Sequence, residues 1–216
     1  LWGNPQIMPN GVVKNWNITG NKLVQLAGGN NGVLICLDEL AMSNTDNTQL
    51  TYLLTGGNDK QRMTNDDSSD DSFNTVFMST GEIQFRNSNY GGITVRLFEV
   101  KNYNYTKTKE LADTINDFVN EHYGTVGFEF ATALSDISDD RLTEKLDEFA
   151  KRVEKRIEMH AQKQGKAISP LFSRMADKIA AVALAASIAK SKLGIDFDTS
   201  SIVDFLICQT TLLEMG

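Results

Sequence analysis

Cysteine and histidine are scarce in this chain. There are two of each in 216 residues, Cys36 and Cys208, His122 and His160, with no CxxC spacing. Such scattered ligands argue against a zinc site. Each cysteine stands in an apolar stretch, which reads as two buried free thiols in a reducing compartment rather than a bridge. Long apolar runs are also missing. The alanine-rich stretch 179–189 is bracketed by Lys178 and Lys190 and suits a buried helix, so neither a membrane span nor a secretory leader is expected. The expected location is cytoplasmic, with no membrane partner. Positive charge is short as well. Lys and Arg number 21 against 28 Asp and Glu, a formal net charge of −7. No bulk attraction therefore draws the chain to nucleic acid, and any such contact must be local. No internal repeat is present, and no biased segment beyond the polar, acidic residues 64–72.

What is present suits one or two soluble globular domains, with 41% hydrophobic and 23% charged residues. Gly3 and Pro5 stop a helix-like start, and Val12 to Trp16 is a short strand candidate. Thr19 or Asn21 can cap a helix carrying Leu23, Leu26 and Ala27, which ends at Gly28-Gly29. A strand is expected at 33–37, a short helix at 46–54 ending before Gly56-Gly57, a strand at Phe73–Met78 and a third at Ile93–Val100. From Lys107 onward the pattern is helical. Leu111, Ile115, Phe118 and Val119 share one face of a helix that stops before Gly124, and a second helix covers 125–136. A long amphipathic helix follows at 141–164, with Leu142, Leu146, Phe149, Val153 and Ile157 as its apolar stripe and His160 continuing it as a partly buried structural residue. Its charges, with Asp147–Lys151 and Glu148–Arg152 as supporting pairs, read as a solvated face. Pro170 opens a helix over 171–192, and Ser201-Ile202-Val203-Asp204 starts a last one near 200–213. Strands and helices alternate to about residue 100, and helices alone follow. The expectation is an α/β domain over 1–104 with a parallel sheet, and an all-α lid or helical domain over 105–216.

The most informative stretch is Gly32-Val33-Leu34-Ile35-Cys36-Leu37-Asp38-Glu39. Five apolar residues fit a strand buried on both faces, and two acids end it where ligands bind in open α/β sheets. This is the form of a Walker B motif, in which the first acid serves Mg²⁺ and the second polarises the attacking water. A buried strand whose acids merely open the next helix fits the same pattern. A second polar cluster, Ser79-Thr80-Gly81-Glu82, closes the next strand, and Arg96 follows the Gly91-Gly92 loop. Asp38, Glu39 and Thr80 should therefore converge at one edge of a parallel sheet, on adjacent strands.

In order along the chain stand Trp16-Asn17-Ile18-Thr19 with Asn21 and Leu23, then Leu37-Asp38-Glu39-Leu40, Phe77-Met78-Ser79-Thr80-Gly81-Glu82, Val95-Arg96-Leu97 and His122-Tyr123-Gly124. This series resembles the domain of unknown function 927 family. That family occurs in primase–helicases of phages, plasmids and other mobile elements, and some members resemble MCM-like helicases. The resemblance implies a partial P-loop NTPase sheet of AAA+ type. It makes Asp38 the Mg²⁺-side acid, Glu39 the catalytic glutamate, and Thr80 and Glu82 the sensor-1 group, although many AAA+ proteins have Asn where Glu82 stands. Arg96 is the candidate arginine finger, with a surface ion pair as its other reading. Arg174 and Lys178, one turn apart, are candidate sensor-2 cations for nucleotide, or else part of a solvated face. Lys60 and Arg62 fall where related helicases carry a DNA-contacting hairpin, within a net negative stretch.

One departure stands out. No GxxxxGK[ST] occurs: Gly28-Gly29-Asn30-Asn31-Gly32 and Thr55-Gly56-Gly57-Asn58 lack the following lysine and hydroxyl. The backbone cradle for phosphates is missing, so the chain reads as the C-terminal part of an ATPase. By itself it is expected to hydrolyse no ATP and to hold no cofactor. The intact protein would use Mg²⁺ and ATP, bind single-stranded or forked DNA, and assemble as a hexameric ring. Two other readings remain open: a non-enzymatic oligomerisation or scaffolding module, and an AAA+ ATPase that remodels proteins.

Overall fold

The computed structural model describes residues 3–7, 11–30, 32–44, 46–57, 72–84, 95–101, 105–168 and 170–213. The chain forms two compact units, Leu1–Arg96 with Asn104–Val126, and Leu97–Tyr103 with Gly127–Gly216.

The first unit is built on three short parallel strands, β1 (Val13–Asn15), β2 (Ile35–Asp38) and β3 (Phe77–Ser79), with β2 in the middle. Parallel neighbours require a crossover, and helices supply both. Helix α1 (Gly20–Gly29) joins β1 to β2. Thr19 is its cap, accepting the Lys22 amide, and Leu23, Val24 and Ala27 form its buried stripe. Helix α2 (Asn47–Gly56) lies between β2 and β3. Asp46 caps it through the Gln49 amide, and Gly57 ends it in a left-handed conformation (φ 72°) that glycine adopts without strain. Trp16, Leu23, Ala27, Ile35, Leu37, Leu50 and Leu54 are the buried heart of this unit.

Two sequence expectations need correction here. The apolar run 33–37 does not make a strand covered on both faces. Ile35 and Leu37 are buried while Cys36 and Asp38 are half-buried, and Met78, the register partner of Cys36, is 58% exposed. The strand expected at 73–78 is shorter and later, because Phe73 is already committed: its amide donates to the Gly57 carbonyl and its side chain fills the core. Burial nevertheless pushes the Cys36 thiol above its ordinary pKa. Both cysteines are free and half-buried.

Helix α3 (Lys109–Glu121) is capped by Thr108, whose hydroxyl accepts the Leu111 amide at 3.2 Å. Its apolar stripe is as expected, but Leu111, Ile115 and Phe118 remain exposed. Helix α4 (Thr125–Ser135) follows.

The second unit is carried by α5 (Asp139–Lys163), α6 (Pro170–Leu193) and α7 (Thr199–Leu213). Val153 and Ile157 from α5, Ala176, Ile179, Ala180 and Ala183 from α6, and Val203 and Ile207 from α7 form one core. The alanines keep the α6 surface low, which allows the neighbouring helices a close approach. His160 is half-buried, as expected, and pairs with Gln164 at 2.9 Å. Glu148 and Arg152 form the i,i+4 pair at 3.6 Å, both largely exposed. The last helix starts earlier than its sequence suggested: Asp198 accepts the Ser201 amide and hydroxyl, and these bonds lower its carboxyl pKa.

Nor do the described residues 95–101 form the third strand expected over 93–100; they make a turn and irregular backbone. Tertiary packing overrides strand propensity there, because Phe98 packs against the helical core of the second unit. Among the described residues no helix is long and apolar enough to cross a membrane.

Candidate functional site

The carboxyl edge of the sheet is where the sequence-derived residues meet. Asp38 ends β2 and Thr80 directly follows β3, its neighbour. The Thr80 hydroxyl donates to Asp38 Oδ1. The backbone locks this pairing: the Thr80 amide donates to the Leu37 carbonyl and the Leu40 amide to the Thr80 carbonyl, each at 3.0 Å. On the other side the Trp16 amide donates to the Asp38 carbonyl at 2.9 Å.

Glu39 stands immediately beyond, at φ 60° and ψ 63°, the one non-glycine with positive φ among the described residues. That conformation costs a residue with a Cβ about 1–3 kcal/mol and persists where surroundings enforce it. The surroundings are visible. Leu40 is buried and its amide is held by Thr80, and Asn15 Nδ2 donates to Glu39 Oε2 at 2.9 Å. Asn15 is itself oriented, since its Oδ1 accepts the Asn17 amide at 2.8 Å. It pairs in register with Asp38. Trp16, buried next door, donates its indole N–H to Ser79 Oγ at 2.9 Å and so ties β1 to the end of β3.

Asn15, Trp16 as an indole donor, and Ser79 as its acceptor escaped sequence reasoning. The bonds join residues 24 and 63 positions apart, and only strand register brings them together. The available signal was a polar residue ending a strand next to the acid-bearing one.

Gly81 belongs to the same edge for a different reason. A Cβ there would lie 2.7 Å from Leu40 Cβ and 3.1 Å from Leu40 N. Only glycine lets the Thr80 segment close on Leu40. Gly81→Ala is expected to destabilise the protein by about 1–3 kcal/mol through this overpacking. Urea unfolding of the two proteins measures it, and equal midpoints would show the turn has room.

The remaining sequence candidates are placed differently. Glu82 lies in an exposed bend after β3. Arg96 sits in an exposed turn instead of a strand, with its guanidinium 5.4 Å from the centroid of the Tyr52 ring. Arg174 and Lys178 occupy the exposed face of α6, in the second unit. Lys60 and Arg62 lie outside the described residues.

Chemically, the edge offers a carboxylate and a hydroxyl side by side and a second carboxylate one residue on. These are hard oxygen donors. They fit Mg²⁺, which takes one or two protein oxygens and completes its shell with water and phosphate.

The fold and edge thus define a small parallel α/β sheet with paired acids at its carboxyl end, accompanied by a helical unit. Residues 1–70 match the family model for the Domain of unknown function (DUF927). A solved structure described as "SCCmec type IV Cch - active helicase" is similar, with a TM-score of 0.75 and 26% sequence identity, covering 97% of this chain and 37% of that one. The resemblance read from the motifs is therefore shown, and the α/β fold is similar to that of a helicase. The chain spans about 37% of the length of that helicase. No curated protein matches.

Proposed function

We propose that this chain is part of an ATP-dependent DNA helicase of a mobile genetic element, and that the β2–β3 edge is its catalytic half-site. The supporting observation is the Thr80–Asp38–Glu39–Asn15 arrangement, on adjacent parallel strands and with a strained backbone at Glu39. Asp38 and the Thr80 hydroxyl would hold Mg²⁺, which would supply positive charge to offset that of the phosphates of ATP. Glu39 takes a proton from, and orients, the attacking water, while Asn15 fixes its carboxylate. Thr80 holds Asp38 in place and supplies a polar group beside the transferred phosphate. Arg96 is the cation that reaches a neighbouring protomer's nucleotide in an assembled ring. The phosphate cradle, absent from these 216 residues, would come from elsewhere in the intact polypeptide.

Calorimetric titration with Mg·ATP tests this division of labour. The intact polypeptide should bind in the micromolar range and the 216-residue chain should show no such binding. Micromolar binding by the chain would place the phosphate grip within these 216 residues and overturn the half-site assignment.

A further inference from the structure

Lys101 to Lys109 reads Lys-Asn-Tyr-Asn-Tyr-Thr-Lys-Thr-Lys, with three lysines, two tyrosines and no acid, in a chain whose net charge is −7. Tyr103 lies outside the described residues, and Lys101 belongs to the second unit, where it pairs with Glu99 at 3.5 Å. The part within the first unit is Tyr105, Lys107 and Lys109. Tyr105 is 75% exposed, the most exposed tyrosine among those described, and both lysines are exposed. The backbone is non-helical through Thr108, which is extended at φ −135° and ψ 158°. Tyr105, Lys107 and Lys109 stand within five residues of one another, all exposed, on the approach to α3 and at its first residue. Glu110, next in the chain, is exposed at the first turn of α3. Its own backbone amide and the Thr108 hydroxyl hold its carboxyl below the ordinary range.

We propose that Tyr105, Lys107 and Lys109 bind single-stranded nucleic acid, the ring stacking on a base and the ammonium groups pairing with adjacent phosphates. The inference builds on the helicase reading but uses none of its nucleotide chemistry. An aromatic flanked by cations is what sequence-tolerant strand binding requires, because every base has a π-face and every nucleotide a phosphate. In a chain with net negative charge such binding has to be local, and this stretch is a local reversal of sign.

Fluorescence anisotropy of a labelled oligothymidine, with no nucleotide present, tests it on the 216-residue chain. Tyr105→Ala should weaken binding about tenfold or more, and Tyr105→Phe should leave it within about twofold, because stacking survives the loss of the hydroxyl. The Lys107→Ala/Lys109→Ala double variant should flatten the slope of log affinity against log salt by about 1.4, about 0.7 for each phosphate no longer neutralised. All three side chains are exposed, so the variants should melt as the wild type does. The proposal is overturned if the wild type does not bind, if Tyr105→Ala and the double variant bind as it does, or if Tyr105→Phe loses as much as Tyr105→Ala. Because no ATP is involved, the motor reading can fail while this site stands, and the reverse.

Discussion

Arg96→Ala in the intact polypeptide is expected to cut ATP turnover by about 10³-fold or more while leaving nucleotide affinity and melting temperature nearly unchanged. A finger acting between protomers stabilises charge that exists only in the transition state, and a loss of that size corresponds to about 4 kcal/mol. Its structural role is far smaller. Arg96 is exposed in a turn, stacked over Tyr52, and an exposed cation–π contact is worth about 0.5–1 kcal/mol. The two readings therefore differ by several kcal/mol in what they predict for turnover and for stability. Mixing Arg96→Ala with Glu39→Gln protein should recover some activity, because a mixed assembly contains interfaces with an intact Glu39 on one side and an intact Arg96 on the other. Near wild-type turnover in Arg96→Ala removes the finger assignment. So does a variant that simply unfolds.

Glu39→Gln carries the second large effect. General-base catalysis by a positioned carboxylate contributes about 10²–10⁴-fold, and turnover should fall by that factor with ATP still bound. The amide keeps the length of the side chain and leaves an oxygen for the Asn15 hydrogen bond, so the backbone at φ 60° is expected to persist. Asn15→Ala supplies the intermediate case: Glu39 remains but loses its orienting partner, so turnover should fall less than in Glu39→Gln. If kcat is unchanged in Glu39→Gln, the carboxylate does not handle the water, and the acids at this edge are structural.

Much of this edge could be read from residue order. An apolar run ending in Asp38-Glu39 and a second run ending in Ser79-Thr80 are local patterns, and parallel pairing was the simplest way to bring them together. The register Leu37 to Ser79 does so. The helical unit was also legible, because Leu146, Phe149, Val153 and Ile157 of the α5 stripe pack in or against its core. Three things were not legible, each for a non-local reason. The 93–100 stretch has strand composition, yet Phe98 is claimed by the helical core. The run 33–37 is apolar throughout, but one face of β2 is only half covered. The Asn15–Glu39 and Trp16–Ser79 bonds depend on strand register, which no local window contains.

The acids and hydroxyl at the β2–β3 edge are proposed to serve nucleotide hydrolysis coupled to DNA. Steady-state ATP turnover by the intact polypeptide, with and without single-stranded DNA, measures this most directly. Hydrolysis should rise when DNA is added and be lost in Glu39→Gln in both conditions. Turnover that ignores DNA, or survives Glu39→Gln unchanged, would contradict that role.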